Sequence, residues 1–386
     1  MSMSSPGGSP ANVVPARVGV LFGGPSPEHD VSILTGLQAV RGLSGTAGVR
    51  EIRSIYWAKN GEWFDVTGAV EAAAFADGSP RGAVPLRLSA GGSAAGFTSR
   101  RGRFGGRDEQ LELDALLPCC HGGPGEDGTL QGTLDLTGIP YAGPNAAGAF
   151  LGMDKLAFSA LCSSAFLPTL PRMPLAEGAP PDFAPPFIVK PRYGGSSIGV
   201  EVVEDFSTAI ARLRVNPHLA RGAVLEPYRP ELYDLQIAIR SYPKLESSAI
   251  ERPLRASDGA EILAYADKYV GPEGMTTAPR ELPAEIPPEL AEQIRSSART
   301  VAELVGLRGV ARVDFLSDGE GAYVNEINTI PGSLSRYLFV DPPIPFSQLL
   351  GDLLAEAVAR PSATFSTAGA DGALLRSAGS IARKLG

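Results

Sequence analysis

The sequence predicts an α/β protein in three parts, and three observations carry that expectation. Residues 17–22 (RVGVLF) are a short apolar β-branched run that stops at Gly23-Gly24, and Val31, Leu34, Leu37 and Val40 follow at helical spacing, so a buried strand, a glycine-rich loop and a helix come in that order. Further apolar runs alternate with helical patterns to about residue 330. The length, 386 residues, is too much for one core at roughly 150 residues per domain. With 44% hydrophobic and 20% charged residues the chain has the composition of a globular protein and not of a disordered one.

Taken in order, residues 1–15 are rich in Ser, Gly and Pro and are expected to be disordered. Strands at 49–58 and 115–120 continue the first α/β unit, and the Gly/Ser/Arg stretch at 78–108 reads as a loop insertion. A helix at 154–165 leads into a Pro-rich linker at 171–186. Runs 186–190 and 199–203 then flank a Gly/Ser turn as an antiparallel hairpin. Strands at 224–226, 235–241, 261–269, 310–316 and 322–328, with a helix at 289–305, make a second, mixed α/β region. Residues 361–386 read as a loosely attached tail. The expected divisions are 16–147, 148–228 and 229–360.

Lys plus Arg is 34 and Asp plus Glu is 42, a net charge of −8 with no block of like charges, which argues against a nucleic-acid or anionic-membrane partner. Three cysteines, two of them adjacent in an apolar run, make no disulfide framework and fit a reducing compartment. The first ten residues lack the basic and apolar regions of a signal peptide, and no run of 18 apolar residues occurs. A cytoplasmic protein is expected.

Chemistry concentrates in four segments. In the strands 310–316 and 322–328, joined by the hairpin loop 317–321, side chains alternate faces, so Arg312 shares a face with Asp314, and Glu326 with Asn328. Paired, the strands would converge two carboxylates and an amide oxygen, the hard-oxygen set suited to Mg²⁺, beside an arginine that can stabilise developing negative charge. In residues 190–199 (KPRYGGSSIG), a lysine enters a Gly/Ser loop whose backbone and hydroxyls can approach an anion. It lacks the GxxxxGK[ST] pattern and sits in a hairpin, which disfavours a P-loop. There are only 6 lysines against 28 arginines, and Lys155, Lys190 and Lys268 each fall in a segment singled out for the site, 153–155, 189–199 and 266–269. Residues 121–128 (HGGPGEDG) place His121 on a glycine-rich loop at the C-terminal end of a strand, the edge where ligands bind in open α/β sheets, and Glu28 lies on the matching first loop. His29 and His218 read as structural. The first loop lacks GxGxxG, which argues against a dinucleotide-binding dehydrogenase.

Together these segments resemble, in order over about residues 16–345, the D-alanine:D-alanine ligase family of ATP-grasp enzymes. HGGPGEDGTLQG (121–132) is similar to the family's first signature, and RVDFL (312–316) through NEINTIPG (325–332) to its second, with supporting matches at 23–32, 153–155, 189–199, 225–228 and 266–269. The resemblance implies an ATP-grasp fold of three subdomains: a Rossmann-like N-terminal α/β domain, a central lid domain and a C-terminal domain carrying the metal hairpin. It implies a homodimer that ligates two D-amino acids, most simply D-alanine to D-alanine, for peptidoglycan precursors. Glu28 would hold the first ammonium in a set with Ser196 and Tyr269, with His121 beside that substrate. Lys155, Lys190 and Ser197 would contact ATP phosphates, Lys268 the γ-phosphate, Glu226 the adenine and Asp234 the ribose. Asp314, Glu326 and Asn328 would hold two Mg²⁺ ions, with Mn²⁺ as a substitute, and Arg312 with the Gly332 N–H would bind the acyl phosphate and tetrahedral intermediate. The chain departs from the family pattern after Gly332. Tyr337, preceded by Arg336, stands where relatives carry a serine that receives the second substrate's carboxylate, so these two residues are expected to reshape the acceptor site. The alternatives are the same mechanism with a different acceptor, in secondary metabolism or resistance, and a nucleotide-binding regulatory homologue without turnover.

Overall fold

The computed structural model describes residues 13–69, 71–92, 94–100, 108–254, 279–363 and 365–378. The first sheet contains β1 (Arg17–Gly23), β2 (Glu51–Trp57), β3 (Trp63–Asp65), β4 (Val84–Ser89), β5 (Gly96–Arg100), β6 (Asp108–Gln110) and β7 (Ala115–Pro118), in the order β6-β5-β4-β3-β2-β1-β7. β1 runs parallel to β2 and β7 and is buried on both faces, which is why it reads as an unbroken apolar run. Helix α1 (His29–Leu43) packs on it and buries Val31 and Leu37 of the stripe expected from spacing, with one exception. Leu34 is exposed, while Ile33, Thr35, Gly36 and Ala39 are buried. Small residues let the helix axis approach so closely that a Cβ at Gly36 would lie 2.5 Å from that of Phe22.

Two further expectations change here. The insertion expected at 78–108 contains strands β4, β5 and the start of β6, an antiparallel extension of the sheet. Only alternate residues, Leu86, Leu88 and Phe97, meet the core, where Trp63 packs edge-on to Phe97, and the polar residues between them mask the pattern. At the N-terminus Pro15 is buried, so order begins before residue 16, whereas residues 1–12 lie outside the described residues.

The chain crosses α2 (Thr129–Asp135), then α3 (Ala146–Met153) and α4 (Lys155–Ser164). The last two are separated by Asp154, whose carboxylate caps α4 by accepting the N–H groups of Leu156 and Ala157. The second sheet is β10-β9-β11-β8, from β8 (Met173–Pro174), β9 (Phe187–Pro191), β10 (Glu201–Val203) and β11 (Ala223–Pro227), with α5 (Phe206–Val215) against it. β9 and β10 form the expected antiparallel hairpin. The third sheet is β14-β13-β12-β15-β16, from β12 (Tyr233–Arg240), β13 (Glu246–Pro253), β14 (Arg280–Glu281), β15 (Val310–Ser317) and β16 (Ala322–Asn328). Helix α6 (Pro288–Leu304) lays Leu290, Ile294, Ala298 and Val301 on this sheet. The strand expected at 261–269, with Lys268 and Tyr269, lies outside the described residues. β15 and β16 pair Arg312 with Asn328 and Asp314 with Glu326, then shift so that Phe315 faces Val324, leaving Asn325 as the extra residue of a bulge.

Helix α7 (Phe346–Ala359) returns to the first sheet, where Leu349, Leu350 and Leu353 share a core with Leu43 and Leu117. Among the described residues of the tail there is one short exposed helix, α8 (Ala373–Ala378).

Candidate functional site

Two adjoining pockets lie where the three sheets meet. The larger, about 960 Å³, opens between the second and third sheets, with Lys190 and Glu226 on one wall and Asp234, Asp314 and Glu326 on the other. Lys155 reaches it from the start of α4. Its Nζ donates to the Gly194 carbonyl and lies 3.8 Å from Glu326 Oε2, and burial lowers its pKa against the opposing pull of Glu326. Lys190 Nζ donates to Glu226 Oε2 at 2.8 Å and to Asn325 Oδ1 at 3.4 Å. Burial would raise the Glu226 carboxyl, but the cations of Arg172 and Lys190 outweigh it and pull it down to about 2. Arg172 gave no signal in the sequence, standing alone in the Pro-rich linker. Ser197 and Gly195 lie on the loop that closes the cleft, and Ser196 and Ser197 hold left-handed φ of 54° and 59°.

The smaller pocket, about 330 Å³, is lined by polar atoms, among them those of Glu28, His121, Glu126, Ser196, Arg312 and Gly332. Glu28 sits at the N-cap position of α1 and accepts a hydrogen bond from Ser196 Oγ across 168 residues of sequence. Two glycines make room for it. Gly122, at φ 63°, would drive a Cβ into the Glu28 carboxylate, and a Cβ at Gly195 would stand 3.1 Å from its Oε2.

The turn leading to Gly332 is held by a closed set of hydrogen bonds. His121 Nδ1 lies 2.6 Å from the Ile330 carbonyl, and since that oxygen can only accept, Nδ1 carries the proton. Nε2 then accepts from Thr35 Oγ1 at 2.8 Å, and Thr35 in turn accepts the Ser333 N–H at 3.1 Å. Burial lowers the His121 pKa to about 4, with Arg312 adding to the effect, so the ring is neutral. Glu126 accepts the N–H groups of Gly122 and Ile330 at 2.9 and 3.0 Å, and burial together with the Glu28 charge raises it to about 8. Residue 330 is therefore gripped at both its N–H and its carbonyl. Beyond it Ser333, Leu334 and Ser335 run at φ of 52°, 51° and 50°, a left-handed turn that costs about 1–2 kcal/mol per residue and that these contacts hold in place. Thr35 and Glu126 complete this set, and neither is a residue the motifs single out for a role.

The hairpin brings its four expected side chains together. Arg312 forks onto Asp314 at 2.6 and 2.8 Å, and Asn328 Nδ2 donates to Asp314 Oδ2 at 3.1 Å. Arg336 and Tyr337 lie apart from the residues lining the small pocket. The Arg336 guanidinium rests over Phe346 of α7, and the Tyr337 ring faces Arg280 of β14. Among the described residues no three His, Cys, Asp or Glu side chains gather as a metal cluster. The donors at the hairpin are two carboxylates and one amide, hard oxygen groups that fit Mg²⁺ once phosphate oxygens complete its shell.

A cation-lined cleft between a loop-bearing sheet and a carboxylate-bearing hairpin is the arrangement of an ATP-grasp ligase, an ATP-dependent enzyme. The D-ala D-ala ligase N-terminus model matches residues 17–144 and the D-ala D-ala ligase C-terminus model residues 175–354. The chain is 31% identical over 356 residues to a D-alanine–D-alanine ligase of Synechococcus sp. (strain RCC307), covering 87% of this chain and 96% of that one, and 30% identical to one of Chlorobium limicola, covering 90% and 98%. It superposes on the D-alanine-D-alanine ligase of Helicobacter pylori with a TM-score of 0.69 at 25% identity, over 90% of this chain and all of that one. Its fold also matches that of the VanG D-Ala:D-Ser ligase of Enterococcus faecalis, with a TM-score of 0.71 at 24% identity over 89% and 99%. The chain belongs to the D-alanine–D-alanine ligase family. No helix among the described residues is long and apolar enough to cross a membrane.

Proposed function

We propose that the chain joins two D-amino acids, D-alanine to D-alanine, by phosphorylating the first carboxylate with ATP and letting the second amine attack the acyl phosphate, supplying a peptidoglycan precursor. The observation that carries this reading is that Glu326 lines both pockets, so the end of a nucleotide in the cleft meets a small substrate in the polar pocket at the hairpin. Lys155, Lys190 and Ser197 face the phosphates, Glu226 and Asp234 the nucleoside. Glu28, held by Ser196, receives the first ammonium. Arg312 and the Gly332 N–H receive the oxygen that becomes negative as the amine adds, a donor pair aimed at developing charge. His121, neutral and engaged at both ring nitrogens, forms the wall beside the first substrate and holds the turn behind Gly332. Asp314, Glu326 and Asn328 would hold Mg²⁺, which when bound neutralises charge on the transferring phosphoryl group. Lys268, Tyr269 and a homodimer are assigned from the family resemblance alone, whereas a cytoplasmic location and the subdomain limits at 147 and 228 rest on the reading of the sequence.

A second reading keeps this mechanism and changes the acceptor; it rests on the departure of the 333–338 segment from the family pattern, although Arg336 and Tyr337 are not among the residues lining the small pocket. ADP release and product mass with ATP and D-alanine alone, then with a panel of second amino and hydroxy acids, separate the two. Dialanine from D-alanine alone is the expected result. A mixed product without dialanine would give the second reading, and no turnover with any acceptor would remove both.

A further inference from the structure

We propose that Arg172, whose side chain is buried outside both pockets, sets the charge of the nucleotide cleft. By neutralising Glu226 it leaves the Lys190 ammonium uncompensated for the phosphates of ATP. The proposal rests on the nucleotide reading of the large cleft.

Glu226 is almost wholly buried and both its oxygens are engaged, Oε1 by Arg172 Nε at 2.6 Å and Oε2 by Lys190 Nζ at 2.8 Å. Lys190 lines the cleft and Arg172 does not. Without Arg172, Lys190 and Glu226 would form a closed neutral pair, whose field on a nearby polyanion is that of a dipole. One carboxylate between two cations instead leaves one unit of positive charge, and it resides on the lysine that faces the ligand. Glu226 then orients Lys190 without cancelling it.

The remaining donors of Arg172 are spent on two other walls of the cleft. Nη1 donates to the Lys155 carbonyl at 3.0 Å, where α4 begins, and Nη2 donates to the Asn325 carbonyl and side chain at 3.2 and 3.3 Å, at the bulge of β16 beside Glu326. A planar fork with five donors can serve three elements at once. The same guanidinium therefore fixes the spacing of Lys155, Lys190 and Glu326.

The test measures dissociation constants for ATP and for adenosine, without any amino acid, in wild type, Arg172→Met, Arg172→Met/Glu226→Gln and Arg172→Lys. The Met variant is expected to weaken ATP by about tenfold or more while adenosine stays within about twofold, because only the phosphates feel the lost charge. Adding Glu226→Gln removes the carboxylate that then quenches Lys190 and returns the ratio of the ATP to the adenosine constant most of the way to wild type; any change in the Glu226 contact to the nucleoside enters both constants and cancels in the ratio, and a purely structural role would not give this return. Equal weakening of ATP and adenosine, unchanged ATP affinity, or no recovery in the double variant would overturn the proposal. Should Arg172→Met fail to fold, Arg172→Lys decides: it keeps the charge and should hold the ratio of the two constants within about threefold of wild type, and a tenfold fall would overturn the proposal. The constants do not depend on whether D-alanine is joined, so loss of the ligase reading leaves this test standing, whereas wild-type protein that bound no ATP would remove both.

Discussion

The two pockets are made of different material. In the large cleft the chemistry sits on long side chains tethered by opposite charges, Lys190 by Glu226 and Lys155 by Glu326. In the small one a deciding donor is backbone, the Gly332 N–H, whose position is set by hydrogen bonds that reach across the chain, Thr35 to Ser333 and Glu126 to Ile330. Tethered side chains can follow a ligand. A backbone donor cannot, so the small pocket is expected to govern the chemical step and the cleft to govern nucleotide affinity.

The largest effects should come from the shared hairpin. Arg312→Ala and Asn328→Ala are each expected to cut turnover by roughly 10² to 10³ while the protein stays folded, the first by loss of a donor to developing charge and the second by loss of an oxygen from the Mg²⁺ site. ADP release and thermal melting check both parts, and wild-type-like turnover in either would break the assignment. Next comes Thr35→Val, which keeps the volume but strips the hydroxyl between His121 and Ser333. Leaving those buried groups unpaired costs about 1–3 kcal/mol, so kcat should fall roughly tenfold or more with the KM for ATP unchanged, and Thr35→Ser should recover it. A rise in the KM for ATP instead would mean that the pockets are not separable.

A pH effect follows from His121. Its folded pKa of about 4 lies below the ordinary 6.5, so its contribution to stability is complete above pH 6.5 and is lost as pH falls toward 4. That loss amounts to roughly 3 kcal/mol, and it should disappear from urea unfolding curves of His121→Gln compared with wild type between pH 7 and 4. The smallest effect is expected at Arg336→Ala. Its guanidinium packs on Phe346 and not in the polar pocket, so the acceptor KM should move by less than about threefold, whereas a large change would restore Arg336 to the acceptor site.

What the sequence made legible was local. The period-two alternation of 312, 314, 326 and 328, with a turn between, was enough to place four side chains on one face, and the pairing of Arg312 with Asn328 agrees. The Lys190 hairpin and the apolar β1 were legible for the same reason. Arg172 and Thr35 were not, because each acts on partners brought near only by the folded chain, and nothing in a single arginine between two prolines announces three elements meeting on it; Glu126 stood inside the 121–128 motif, but its bond to Ile330 spans 204 residues and gave no local sign. The strands at 84–89 and 96–100 were hidden by their composition, since only one face of that sheet extension needs apolar residues.

The bulge at Asn325 has a consequence for what changes in length the hairpin can survive. Along β16 the core-facing residues are Ala322, Val324 and Ile327, an even beat that skips once, and the skip turns both Asn325 and Glu326 toward the cleft. The strand thus reads in two frames, one anchored in the core by Val324 and one carrying Glu326 and Asn328. Because Asn325 is the extra residue, deleting it alone would merge the two frames into one regular alternation that keeps Val324 in the core and Glu326 toward the cleft. What the deletion takes away is the carbonyl and side chain to which Arg172 and Lys190 donate, so the ladder survives the loss of the position while the wall of the cleft changes.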